Sequence, residues 1–166
     1  DLLNHLGSML KKNISKSVEV QIIKLIILNV NASKQPDIFE KCEQSLKKLL
    51  TLSDINLILL SLKVIKSLVL AKKIISKAYL PDLQNLLQKY IGNDKLVINK
   101  NSDLAHFDKI YIECIEIITL SADVTNYKVI CESNLKCVEN NLEKVKENSN
   151  YSEIHRVKLN CFISIV

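Results

Sequence analysis

Cysteine and histidine are the side chains of this sequence that most often carry nucleophilic or metal chemistry, and their spacing argues against both. The cysteines are Cys42, Cys114, Cys131, Cys137 and Cys161, and the histidines are His5, His106 and His155. They form no Cys-x-x-Cys pair and no zinc-type spacing. An odd number of unpatterned thiols in apolar or helical segments is typical of buried, free cysteines in a reducing compartment. We therefore expect structural cysteines and no metal or redox site.

Paired carboxylates are the other candidate for chemistry. Glu113 and Glu116 are three residues apart but lie in a strongly apolar segment, so we expect them at its solvent edge. His106 and His155 are expected on the surface or at helix ends. The two glycines of the chain cannot build a phosphate loop or a dinucleotide fingerprint. The sequence predicts no catalytic residue, no cofactor and no small-molecule substrate; the chain is expected not to be an enzyme.

Composition and charge narrow the class of protein further. The 166 residues are 48% apolar and 25% charged, which is typical of one folded domain. The net charge of +5 comes from lysines scattered among glutamates, with Arg156 as the single arginine and no tryptophan, so a nucleic-acid site is not expected. The start, DLLNHLGSMLKK, has no signal-peptide pattern. The apolar ending LNCFISIV and the missing initial Met indicate a fragment of a longer protein, expected in the cytoplasm or nucleus.

Residues 53–73, SDINLILLSLKVIKSLVLAKK, decide the kind of element from which the chain is built. Lys63 and Lys66 interrupt this segment, which makes a membrane span costly. Its apolar pattern is too long for a strand. Two helical stripes run along it, one of Ile55, Leu59, Leu62, Ile65 and Val69 and one of Leu57, Leu60, Val64 and Leu68. The segment is therefore predicted to be a helix covered on more than one side, with Ser53 or Asp54 as its N-cap.

Similar segments recur along the chain. Apolar helices are predicted at residues 16–31, 107–122 and 152–166, and amphipathic helices at residues 2–12, 37–52, 76–91 and 126–147. Pro36 is expected at a helix start, and Pro81 indicates a start near Leu80. With two glycines and two prolines in the chain, long elements and an all-α fold are favoured.

The order of these helices predicts an α-α superhelix, a solenoid of the HEAT or armadillo kind. About four pairs are expected within a single segment, near residues 2–31, 37–71, 76–122 and 126–166. The pair starts are spaced by roughly 35 to 50 residues, a range that brackets the length of such repeats, about 40–47 residues. A compact four-helix bundle would need fewer and longer helices. The irregular stretch from Gly92 to Asp103, GNDKLVINKNSD, is expected to be a plain loop, or alternatively an insertion that contacts a partner.

One family resemblance goes beyond the fold. The segments that carry this resemblance are LLNHLGSMLKKN, IIKLIILNV, DIFEKCEQSLKKLLTLSD and INLILLSLKVIKSLV. The order and lengths of these first four predicted helices resemble the HEAT repeats of the cullin-associated, neddylation-dissociated proteins, also called TIP120. The closing LEKVKENSNYSEIHRVKLNCFISIV is similar to a later repeat junction of that family. The stretch from Gly92 to Asp103 is shorter than that pattern requires, so no binding residue is carried over.

The resemblance implies a protein-binding scaffold with no bond chemistry of its own. Members of the family wrap around an unneddylated cullin and its RING subunit, block neddylation and promote exchange of substrate-receptor modules in SCF-type ubiquitin ligases. Two alternatives remain from the sequence. One is another HEAT scaffold, such as a nuclear transport receptor, a coat subunit or a phosphatase scaffold. The other is a helical accessory segment of a large lipid-kinase-like enzyme.

Overall fold

The computed structural model describes residues 2–91 and 101–120. The helices in these ranges are α1 (Leu2–Leu10), α2 (Lys16–Asn29), α3 (Pro36–Leu50), α4 (Ile55–Leu70), a short 3-10 helix (Ser76–Tyr79), α5 (Leu80–Ile91) and α6 (Asn101–Leu120). No strand occurs in the two described ranges. This part of the chain is all-α, as the scarcity of glycine and proline predicts.

Local sequence explains where three of the helices begin. Asp54 is the N-cap of α4, and its carboxylate accepts a hydrogen bond of 3.1 Å from the backbone N–H of Leu57. Pro36 is the first residue of α3, where the missing N–H of proline costs nothing. Leu80 begins α5 directly after the 3-10 helix and directly before Pro81. The sequence-based predictions for these three starts are confirmed.

α4 is the most enclosed helix of the described chain. It packs against α3, its neighbour in sequence, and against α2 and α6. Its buried residues are Leu57, Ile58, Leu59, Ser61, Leu62, Val64, Ile65 and Leu68. Both predicted apolar stripes contribute to this set, which confirms that the helix is covered on more than one side. Ser61 is fully buried, and its hydroxyl donates to the Leu57 carbonyl oxygen at 2.8 Å.

One hydrophobic cluster joins side chains from α1 through α6. Its largest fully buried members are Tyr79, Ile23, Ile26, Ile27, Leu46, Leu50, Ile58, Leu62, Ile65, Leu68, Leu83 and Ile110. Each buried side chain of this size contributes about 1.5–3 kcal/mol relative to an exposed one. Besides the contacts of α4, α1 packs on α2, α2 on α3, α3 on α5, and α5 on α6. The core therefore runs continuously through the described helices.

The start of α6 differs from the prediction. The helix begins at Asn101, six residues before the predicted start at residue 107, so the last three residues of the stretch from Gly92 to Asp103 are helical and not loop. Asn, Ser and Asp have low helix propensity, and their run at 101–103 is typical of a loop that precedes a helix. The 20-residue helix nevertheless extends through them. Residues 92–100 and the fourth predicted pair, residues 126–166, lie outside the described residues.

No helix within the described ranges combines the length and the apolar character that crossing a lipid bilayer requires. α4 is strongly apolar but has only 16 residues, and Lys63 and Lys66 interrupt it. Lys63 is exposed and Lys66 is half-buried.

Candidate functional site

The described cysteines are buried in helix interfaces. Cys42 lies on α3 and Cys114 on α6, both as free thiols with 3% and 0% exposure. Burial raises the pKa of Cys42 to about 11, and burial also raises that of Cys114. Thiols that stay protonated at neutral pH are poor nucleophiles and poor metal ligands. A structural role fits both residues.

The remaining residues with metal or nucleophilic potential do not form a site in the described ranges. His5 is exposed on α1. The described part of the chain does not include the side chain of His106. It also does not include His155, Cys131, Cys137 or Cys161. Among the described side chains, no three of His, Cys, Asp or Glu come together as metal ligands.

An ion cluster joins α4 to α6. The Lys66 ammonium hydrogen-bonds the Glu116 carboxylate and lies 3.4 Å from Oε2 of Glu113. The side chain of Glu113 is 15% exposed, that of Lys66 29% and that of Glu116 45%. Both glutamates have intermediate burial, as expected at the solvent edge of the helix, and Glu113 is the more covered of the two. The basic partner of both glutamates comes from α4, 50 residues away from Glu116 in the sequence.

This cluster, Lys66 with Glu113 and Glu116, links α4 and α6 through an ion pair that bridges both helices. The hydrogen bond to Glu116 raises the pKa of Lys66, so the ammonium stays charged at neutral pH. The Lys66 ammonium lies close to the carboxylates of both Glu113 and Glu116, which are on the same helix turn, and so reduces their mutual repulsion. The cluster fixes α6 against α4 at one position along both helices.

The second polar feature is the buried Tyr79, which lies next to Lys47 of α3. Tyr79, in the 3-10 helix, is fully buried, and the Lys47 ammonium lies 5.4 Å from its ring centroid. Its hydroxyl has no hydrogen-bond partner in the described part of the chain. Burial raises the pKa of Tyr79, and the nearby carboxyl groups of Glu43 and Asp82 raise it further. Tyr79 therefore remains a neutral phenol and offers no general base at physiological pH.

A shallow, open cleft lies between the end of α3 and α5. Its volume is about 190 Å³, and its lining residues are Leu50, Thr51, Asp82, Asn85, Leu86 and Lys89. Sites for drug-sized ligands usually enclose about 300–1,000 Å³. This cleft is too small and too open to enclose a ligand of that size.

No protein-family model, no curated protein and no solved structure matches this chain. The resemblance to the cullin-associated proteins therefore stays a prediction from the order and faces of the helices.

Proposed function

We propose that this chain is a stretch of a HEAT-like α-solenoid that binds another protein through its surface. The observation that carries the proposal is the environment of α4. As the second helix of its pair, α4 packs on its own first helix, α3, and also on α2 and α6, the second helices of the pairs before and after it. Contact of each pair with both neighbours is typical of stacked helical repeats.

Packing among the other helices supports the same arrangement. α1 with α2, α3 with α4, and α5 with α6 pack within the predicted pairs, while α2 with α3 and α3 with α5 pack between them. The individual helices of 9–20 residues are short for a four-helix bundle built from the whole chain. A solenoid exposes a large surface along which a partner can bind without any enclosed pocket.

Within that class, the proposed partner is an unneddylated cullin with its RING subunit. The support is the family resemblance of residues 2–69 and 142–166 described above. The proposed mechanism is mutually exclusive binding, in which the scaffold covers a cullin surface that the neddylation machinery and the substrate-receptor modules also require. The proposed location is the cytoplasm or nucleus, which the two buried free thiols, Cys42 and Cys114, favour.

The test is capture of the full-length protein that contains this chain on an immobilised complex of cullin and RING subunit. We expect retention on the unneddylated complex and little or none on the neddylated complex, which serves as the matched control. Equal retention on both, or none on either, would remove the cullin assignment. Hydrogen exchange across α1–α6 with and without the complex then reports whether this segment contributes to the contact.

A further inference from the structure

The turn after α4 exposes apolar and basic side chains together. Residues 70–75, here named the LAKKII turn, connect α4 to the 3-10 helix. Ile75 is 71% exposed and Leu70 is 60% exposed, the two highest values among the large apolar side chains whose burial the structure describes. Lys72 and Lys73 lie between them and are both exposed.

The backbone of this turn is well defined. The N–H of Lys73 donates to the Leu68 carbonyl and that of Lys72 to the Val69 carbonyl, both at 2.9 Å, which is the hydrogen-bond pattern of a Schellman motif. Ile74, next to the exposed Ile75, is buried at 6% and anchors the turn to the core. The backbone that carries the exposed side chains is therefore held in a defined conformation.

A contribution to folding stability does not explain all the residue types found in the LAKKII turn. Lys72 has φ 54°, in the left-handed region where glycine is usual and where an L-residue costs roughly 1–2 kcal/mol. Positive charge near the end of α4 interacts favourably with the helix dipole, which gives the lysines one structural reason. That reason does not account for the exposure of Leu70 and Ile75.

A second lysine pair in the chain provides a direct comparison. Lys11 and Lys12 follow the last residue of α1, as Lys72 and Lys73 follow α4 closely. The apolar residues beside that first pair, Leu10 and Ile14, are partly buried and pack against the core. Two lysines after a helix therefore do not by themselves require exposed apolar neighbours, and the exposure of Leu70 and Ile75 is a separate feature of the LAKKII turn.

We propose that the LAKKII turn is a docking site for an acidic protein segment that carries an apolar side chain among its carboxylates. Charge complementarity selects this partner, because Lys72 and Lys73 are both exposed and the sequence has no acidic residue between Asp54 and Asp82. Lys66, in the same stretch, is already paired with Glu113 and Glu116. Leu70 and Ile75 supply the apolar contact, and Lys72 and Lys73 supply the charge. The inference rests on the proposed function in one respect, that the partner is a protein.

Other classes of partner fit the turn less well. Adhesion to an anionic membrane usually draws on clusters of about 4–8 basic residues or an amphipathic helix with a long apolar face, and the turn has neither. Single-stranded nucleic acid is usually bound with stacking aromatic side chains, and residues 70–77 contain none.

The experiment measures binding of fluorescent peptides to the full chain by anisotropy at low and high salt. The probe is a short peptide of Asp and Glu with one central Leu; its two controls replace either the Leu by Ser or the acidic residues by Asn and Gln. We expect binding of the first peptide only, weakened by salt. The double variant Lys72→Gln, Lys73→Gln and the single variant Ile75→Ser should each lose about tenfold in affinity, a free-energy change of about 1.4 kcal/mol.

The matched control is Lys11→Gln, Lys12→Gln, which changes the net charge equally and should bind as the parent does. An equal loss in this control would show that overall charge alone attracts the peptide and would overturn the proposal. Binding of anionic phosphatidylserine vesicles that depends on the same turn, with no peptide binding, would overturn it in favour of lipid. Lys72→Gly keeps the turn folded and removes one charge, so a loss of affinity in that variant is not due to unfolding.

The two proposals can fail separately. Retention on the cullin complex combined with turn variants that bind the acidic peptide like the parent would remove the docking site and keep the scaffold function. Peptide binding that depends on the turn, without cullin retention, would keep the docking site and remove the cullin assignment.

Discussion

Replacement of Lys66 by methionine tests whether the ion cluster between α4 and α6 stabilises their packing. Methionine keeps most of the apolar length of the side chain and removes the ammonium group. Glu113, whose side chain is 15% exposed, then loses the charge that lies 3.4 Å from its Oε2 atom. Glu116 loses its hydrogen bond as well. Two carboxylates on one helix turn are left without a counter-charge.

The expected decrease in the free energy of unfolding for Lys66→Met lies between the values for exposed and for buried ion pairs. Breaking an exposed ion pair costs about 0–1 kcal/mol, and removing one partner of a buried pair costs about 3–5 kcal/mol. Lys66 at 29% exposure and Glu113 at 15% fall between these limits, while Glu116 at 45% is screened by solvent. We therefore expect the free energy of unfolding to decrease by about 1–3 kcal/mol.

Urea unfolding followed by circular dichroism at neutral pH measures this change. The double variant Lys66→Met, Glu113→Gln should recover part of the loss, because it removes the carboxylate that was left unpaired. Glu116→Gln alone should cost less than Lys66→Met, since Glu116 is the more exposed of the two acids. A loss below about 0.5 kcal/mol for Lys66→Met, or strictly additive effects in the double variant, would refute the reasoning.

Four other changes test separate parts of the structure. Lys72→Gly should raise the free energy of unfolding by about 1 kcal/mol in urea titrations, since glycine adopts φ 54° without strain; a decrease would contradict the left-handed turn. Tyr79→Phe should leave thermal stability equal or raise it by up to about 1–2 kcal/mol, because it removes a buried hydroxyl without a partner in the described chain; a clear loss would indicate a hydrogen bond to that hydroxyl. Asp54→Ala should cost about 1 kcal/mol by losing the cap of α4, whereas Asp54→Asn should not. The free energy of unfolding should fall as pH rises from about 9 toward 11. The Cys42 thiol ionises at lower pH in the unfolded chain than in the fold, where its pKa is raised to about 11. Urea unfolding at several pH values should give a smaller slope for Cys42→Ala.

The helices were predictable from the sequence because their signals are local. The two apolar stripes of α4, the capping Asp54 and the helix-starting Pro36 each act within a few residues along the chain. The same holds for the burial of Cys42, which lies on the apolar face of an amphipathic helix. Periodicity and capping chemistry are sufficient for features of this kind.

The ion cluster and the LAKKII turn were not predictable for two different reasons. The partner of Glu116 is 50 residues away, and only the packing of α4 against α6 brings Lys66 to it. Ile74 and Ile75 are neighbours of identical type, and one is buried while the other is 71% exposed. A turn has no periodicity from which the inward residue could be chosen, so the Schellman geometry decides it.

The Lys72→Gly substitution tests whether Lys72 is present for binding, because its expected effects on stability and on peptide binding are opposite. The backbone of the LAKKII turn is already ordered by its two hydrogen bonds and by the buried Ile74, so binding of a partner costs little backbone conformational entropy. If Lys72 is retained for binding, Lys72→Gly should give a more stable chain that binds the acidic peptide more weakly. A residue that is unfavourable for folding and favourable for contact is typical of a functional position. A Lys72→Gly chain that is more stable and binds as well as the parent would show that Lys72 contributes nothing to docking, and the contact would then depend on Lys73, Leu70 and Ile75 alone.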